Sequence, residues 1–144
     1  MRIIGFNFAK ISCERKKDIK GKLDIKSNLQ IESIEQEKID IAGEILKFNY
    51  DYSITYEPGF ADILFKGSAL VVPDKRDDIK QILKDWKKKK ISDEIRIFVF
   101  NFIMSKCNLK ALQLEEEFAL PPHIPFPRLS KQTQQQSQQA NYTG

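Results

Sequence analysis

Hydrophobic and polar residues alternate along the first half of this chain, and the period lengthens after Pro73. Leu46, Phe48, Tyr50, Tyr52, Ile54 and Tyr56 alternate with Lys47, Asn49, Asp51, Ser53 and Thr55. A period of two residues is that of a strand with one dry face and one wet face. Leu23, Ile25, Leu29 and Ile31 alternate in the same way with Asp24, Lys26, Asn28, Gln30 and Glu32, and Ile4, Phe6 and Phe8 with Gly5 and Asn7. Glu57-Pro58-Gly59 reads as a tight turn, because Pro presets φ and Gly accepts a positive φ. A fourth strand follows from Phe60 to Val72 and is apolar on both faces at its end. The connections are too short for helical crossovers, which predicts an antiparallel meander.

Beyond Pro73-Asp74 the pattern becomes helical. Ile79, Ile82, Leu83 and Trp86 fall at i, i+3, i+4 and i+7, one face of a helix. Lys87 to Lys90 close it, where cations suit the negative end of the helix dipole. Ser92 is the predicted N-cap of a second helix, with Asp93 and Glu94 in its first turn. The run IRIFVFNFIM, 95 to 104, has eight apolar residues in ten. So short a run fits strand or helix, but no turn signal interrupts the sequence up to Pro121-Pro122, which decides for helix. The predicted helix is about 28 residues and about 42 Å long, with Asn108 as a point of bending. Its first half is apolar nearly all round. A single sheet covers only one side, so the other side is expected to meet a second layer, another subunit or a client. Leaving such side chains in water forfeits roughly 1.5–3 kcal/mol each.

LPPHIPFPRL, 120 to 129, reads as an extended strap, since its prolines bar it from a central strand. Ile124 and Phe126 are its candidate anchors. The Gln- and Ser-rich remainder, 130–144, reads as a disordered polar tail. Residues 1–129 are thus expected to form a single α+β domain, with a four-stranded antiparallel sheet followed by a short and a long helix on one face.

Composition narrows the functional classes. Hydrophobic residues are 41% and charged residues 31% of the 144, an ordinary globular balance. No apolar run approaches the ~20 residues of a membrane span, and the N-terminus lacks a signal-peptide pattern. A cytoplasmic protein without membrane insertion is expected. The net charge of +4 lies entirely in 74–91, which carry eight basic against four acidic residues. There Arg76, Lys80, Lys84 and Lys88 recur every four residues, a stripe able to neutralise phosphates. Asp77, Asp78 and Asp85 dilute that field, so nucleic-acid binding is the alternative reading. Cys13 and Cys107 are the only thiols and His123 the only imidazole. Their spacing argues for no metal and no cofactor. No phosphate loop, HExxH or GxSxG occurs. His123 has no orienting acid nearby in sequence, and Glu115 to Glu117 read as a solvated helix face. A non-enzyme is expected.

The order of elements, with FNFAKIS at 6–12, ILFKGSALVV at 63–72 and FNFIMSKCNLKALQLEEEFALPPHIPF at 100–126, resembles the SecB-type export chaperones and their shorter SecB-like relatives. The resemblance covers roughly residues 2–129. It implies a homo-oligomeric holdase, a dimer or tetramer, with long helices packed between the sheets of paired subunits. Such a protein binds unfolded or partner polypeptides without nucleotide. The chain departs from SecB proteins in being basic, in lacking a second helix after Arg128 and in having no Cys or His after Ser130. The candidate residues for polypeptide binding or subunit contact are Phe98, Phe102, Met104, Tyr50, Tyr52 and Ile124. The resemblance leaves open whether such a protein serves export, antitoxin protection or general holding.

Overall fold

The computed structural model describes residues 1–18 and 21–127. The polar tail expected at 130–144 lies outside the described residues, as does the expected domain end at 129. Four strands, β1 (Arg2–Arg15), β2 (Asp24–Ile39), β3 (Gly43–Glu57) and β4 (Ala61–Val72), precede two helices, α1 (Arg76–Lys87) and α2 (Asp93–Glu117). The fold is α+β, with both helices on one face of the sheet.

The strand order is β1-β4-β3-β2, antiparallel throughout. This corrects the predicted meander. β2, β3 and β4 do form hairpins, but β1 crosses to the far edge and pairs with β4, a Greek-key arrangement. The crossing loop is tied down where it passes β4. The amides of Lys16 and Lys17 both donate to the Phe60 carbonyl, at 2.7 and 3.4 Å, and Lys16 pairs with Asp62. The turn at 57–60 forms as predicted, with Gly59 at φ 62°.

The alternation in β3 and β4 is unbroken. Leu46, Phe48, Tyr50, Tyr52, Ile54 and Tyr56 all face the helices and are buried, as are Ile63, Phe65, Ala69 and Val71 across the β3–β4 ladder. Register breaks fall only in the edge strands: between Ile3 and Gly5, between Phe8 and Lys10, and between Ile31 and Ser33. Each extra residue flips the phase of the positions after it. That is why Ile3, rather than Ile4, shares the inner face with Phe6 and Phe8, leaving Ile4 40% exposed. The other face of the sheet is charged. Lys66 lies between Asp51 and Glu32, and Lys47 pairs with Glu37.

α1 buries Ile79 and Ile82, with Leu83 and Trp86 half-buried, as its spacing predicts. α2 starts at Ser92, whose hydroxyl accepts from the Ile95 amide. It runs unbroken to Glu117, so the expected bend at Asn108 does not occur. The Asn108 side chain hydrogen-bonds to neighbours rather than to its own helix backbone. The helix ends at Ala119, which takes φ 54°. The Leu120 amide then donates back to the Glu115 carbonyl at 2.8 Å, closing a Schellman motif. Arg15 of β1 donates to the Phe118 and Ala119 carbonyls, both at 2.9 Å, and so satisfies acceptors a helix end leaves open.

Candidate functional site

α2 presents three kinds of position. Val99, Ile103, Cys107, Ala111 and Leu114 form the row packed on the sheet and are buried. Phe100, Phe102 and Met104 flank it and are half-buried. The outer row is Ile97, Asn101, Ser105 and Leu109, one residue every four, all exposed. Ile97 is 58% and Leu109 69% exposed, and Phe98 beside Ile97 is 39% exposed. The sheet therefore dries one side of this helix and its flanks, and leaves large apolar side chains on the far side in water.

Two grooves lie beside that row. One, of about 410 Å3, runs between β1 and α2, lined by Ile3, Ile4, Phe6, Phe8 and Phe102. Its aromatic wall is continuous with the core. The Phe6 ring stacks on Tyr50 at 5.5 Å and meets Phe102 edge-on at 5.9 Å. Lys106 holds its ammonium 5.6 Å from the Phe102 ring. The other, of about 380 Å3, lies between α1 and the start of α2. Ile95 and Phe98 contribute apolar surface, with Asp74, Asp78, Asp85 and Glu94 around it. The Met1 ammonium pairs with Asp74 at this groove.

The predicted residues thus divide. Phe98 and Phe102 reach the surface in different grooves, while Met104 and Ile124 are half-buried. Tyr50 and Tyr52 lie beneath α2, 1% and 3% exposed, rather than on an open apolar surface. Their hydroxyls are engaged, Tyr50 donating to the Asn7 carbonyl at 3.0 Å and Tyr52 to Asn108 Oδ1 at 2.9 Å. A tyrosine whose polar tip finds a partner is free to bury its ring. Burial also pushes both hydroxyls above the ordinary tyrosine range, so they remain donors. Ile97 and Leu109 were missed as site residues because Asn101 and Ser105 dilute their row. Arg76, Lys80, Lys84 and Lys88 are all exposed, along α1 and its C-cap. Trp86 is half-buried against the core, with the Lys89 ammonium 4.5 Å from its ring.

Glu115 corrects the reading of 115–117 as a solvated face. It is 1% exposed, while Glu116 and Glu117 are exposed. Its carboxylate lies 2.5 Å from His123 Nδ1 and accepts the His123 amide at 3.3 Å. His123 Nε2 lies 2.8 Å from Asn108 Oδ1. The orienting acid absent from the neighbouring sequence is supplied by the preceding helix. Both ring nitrogens are engaged and the ring is buried, so no free nitrogen faces solvent. The arrangement clamps the strap to α2. Among the described residues, no group of three or more His, Cys, Asp or Glu is placed to hold a metal.

No protein-family model and no curated protein sequence matches the chain. A solved structure does. It is the SecB-like chaperone Rv1957 of Mycobacterium tuberculosis, in complex with a ChAD peptide from the Rv1956 HigA1 antitoxin. The fold is SecB-like. The TM-score is 0.55 at 14% identity, over 90% of this chain and 89% of that one. At that identity the likeness is one of fold.

Proposed function

We propose that this chain is a SecB-like holdase, a non-catalytic protein that binds non-native or partner polypeptides through apolar surface and needs no nucleotide. The observation that carries the reading is the outer row of α2, where Ile97, with Phe98 beside it, and Leu109 about three turns further on stand in water. An exposed row of a rigid helix that carries large apolar side chains at both ends offers surface to a partner. The fold likeness to a chaperone bound to a peptide supports the same reading. The same row also suits contact between copies of the chain, so a homo-oligomer is part of the proposal.

The test is suppression of aggregation of a chemically unfolded client. It should persist at moderate salt, because apolar contacts are barely screened. Replacing Ile97 and Leu109 by Glu should reduce suppression several-fold while leaving the melting temperature nearly unchanged, since neither side chain is packed. The competing reading is nucleic-acid binding by the exposed stripe Arg76, Lys80, Lys84 and Lys88. It requires binding that collapses as salt rises. Loss of the activity in Lys80→Glu with Lys84→Glu, but not in the outer-row variant, would overturn the holdase reading.

A further inference from the structure

Segment 120–127 lies along the C-terminal end of α2. Leu120 is buried, Ile124 is half-buried and the Pro121 carbonyl accepts from Tyr56 Oη at 2.7 Å. Its deep polar anchor is the His123 ring, whose side chain is 1% exposed. Nδ1 faces Glu115 Oε1 at 2.5 Å and Nε2 faces Asn108 Oδ1 at 2.8 Å. That amide oxygen also takes the Tyr52 hydroxyl. An ionised carboxylate and an amide oxygen are both acceptors. A ring carrying both protons satisfies both. A neutral ring can still donate from Nδ1 to Glu115, but it leaves the buried carboxylate without its counter-charge, a costly arrangement away from water.

The geometry points to a proton-operated latch, in which charged His123 and ionised Glu115 hold the strap closed and loss of either charge releases it. The other titratable and charged groups facing the site come from β3, β1 and α2. From β3, burial above all, with the Glu115 carboxylate contributing, raises the Tyr52 and Tyr56 hydroxyls above the tyrosine range. From β1, burial and then Glu115 and Glu117 raise the Cys13 thiol. Arg15, also from β1, is held by the Phe118 and Ala119 carbonyls. Glu117 of α2 is exposed. The latch therefore closes over the window in which His123 is protonated and Glu115 is not. It opens on the alkaline side by losing the imidazole proton, and on the acid side by neutralising the carboxylate. Opening uncovers Leu120 and Ile124 and withdraws Leu120, Pro122 and Phe126 from the groove of about 450 Å3 that they wall together with Leu112. Resting on the holdase reading, this makes the strap a gate on client surface at the lower half of α2.

The chain has a single histidine, so ring-15N NMR of the full protein follows His123 alone. As pH rises, the ring nitrogens and the amides of Leu120, His123, Ile124 and Phe126 should change with one midpoint. Glu115→Gln and His123→Gln should each abolish the pH dependence of the strap amides. Each should lower protection of the strap amides at least about tenfold where the wild type is closed. A ring that titrates while the strap amides stay unmoved would overturn the latch. So would a ring whose protonation never changes over the pH range in which the protein stays folded, or variants with wild-type protection. Client binding is not part of the readout, so failure of the latch and failure of the holdase reading are separable.

Discussion

At Gly67 a single methyl group would collide with two strands at once. A Cβ there would sit 2.1 Å from the Asn7 carbonyl oxygen and 2.8 Å from the Tyr50 hydroxyl. The absent side chain is what lets the Tyr50 hydroxyl reach Asn7 across β4. Gly67→Ala should cost about 2–4 kcal/mol, read by chemical denaturation, and should disturb the Phe6–Tyr50 stack. Cys107 is buried beside the same hydroxyl. Burial pushes its thiol up to about 12, against a lowering by the Tyr50 hydroxyl. A thiol raised on folding contributes stability below its unfolded value of 9.0 and loses it as pH climbs toward about 12. Stability should therefore fall through that interval, less steeply in Cys107→Ala, and native Cys107 should resist alkylation that reaches it in denaturant. Neither Gly67 nor the His123–Glu115 pair was legible in the chain. Both depend on which residues lie opposite one another, and alternation says which face a residue takes but not its neighbour.

Both helices end in the same way. Lys89 and Ala119 take φ of 57° and 54°, and the next amide donates back to Asp85 and Glu115 respectively. The left-handed conformation suits glycine, and an L-residue there costs roughly 1–2 kcal/mol. Ala119→Gly removes that cost without losing a buried side chain. It should stabilise by about 0.5–1 kcal/mol and raise Tm by roughly 2–4 °C. Lys89→Gly gains less, because it also loses the cation above Trp86. Element type was readable from period in the strands and in α1, and in α2 from its flanks, with Ser92 marking its start. Strand phase was readable in β3, which is flanked on both sides. It failed at Ile4, because a bulge in an edge strand leaves no trace in the hydrophobic pattern. The C-terminal stop of α2 was expected at the prolines but comes earlier, at a motif built on Ala.

For the molecule as a whole, the open question is what covers the outer row of α2. If copies of the chain do so, the molar mass by light scattering should exceed that of one chain at micromolar concentration. Ile97→Glu with Leu109→Glu should return it to the monomer with the fold intact, since no packed atom is removed. A wild-type monomer under those conditions removes the oligomer from the proposal and leaves the row to clients alone. The order of residues was enough for the inventory: four strands, a short and a long helix, a polar outer sheet face, and a helix with more apolar sides than one sheet can cover. These follow from period and hydrophobicity, which act locally along a chain. It took the folded chain to show that β1 crosses to pair with β4, that Tyr50 and Tyr52 vanish under α2, and that Glu115 is buried against the lone histidine. Strand order, hydroxyl partners and buried ion pairs arise between residues far apart in the chain, where no local pattern records them.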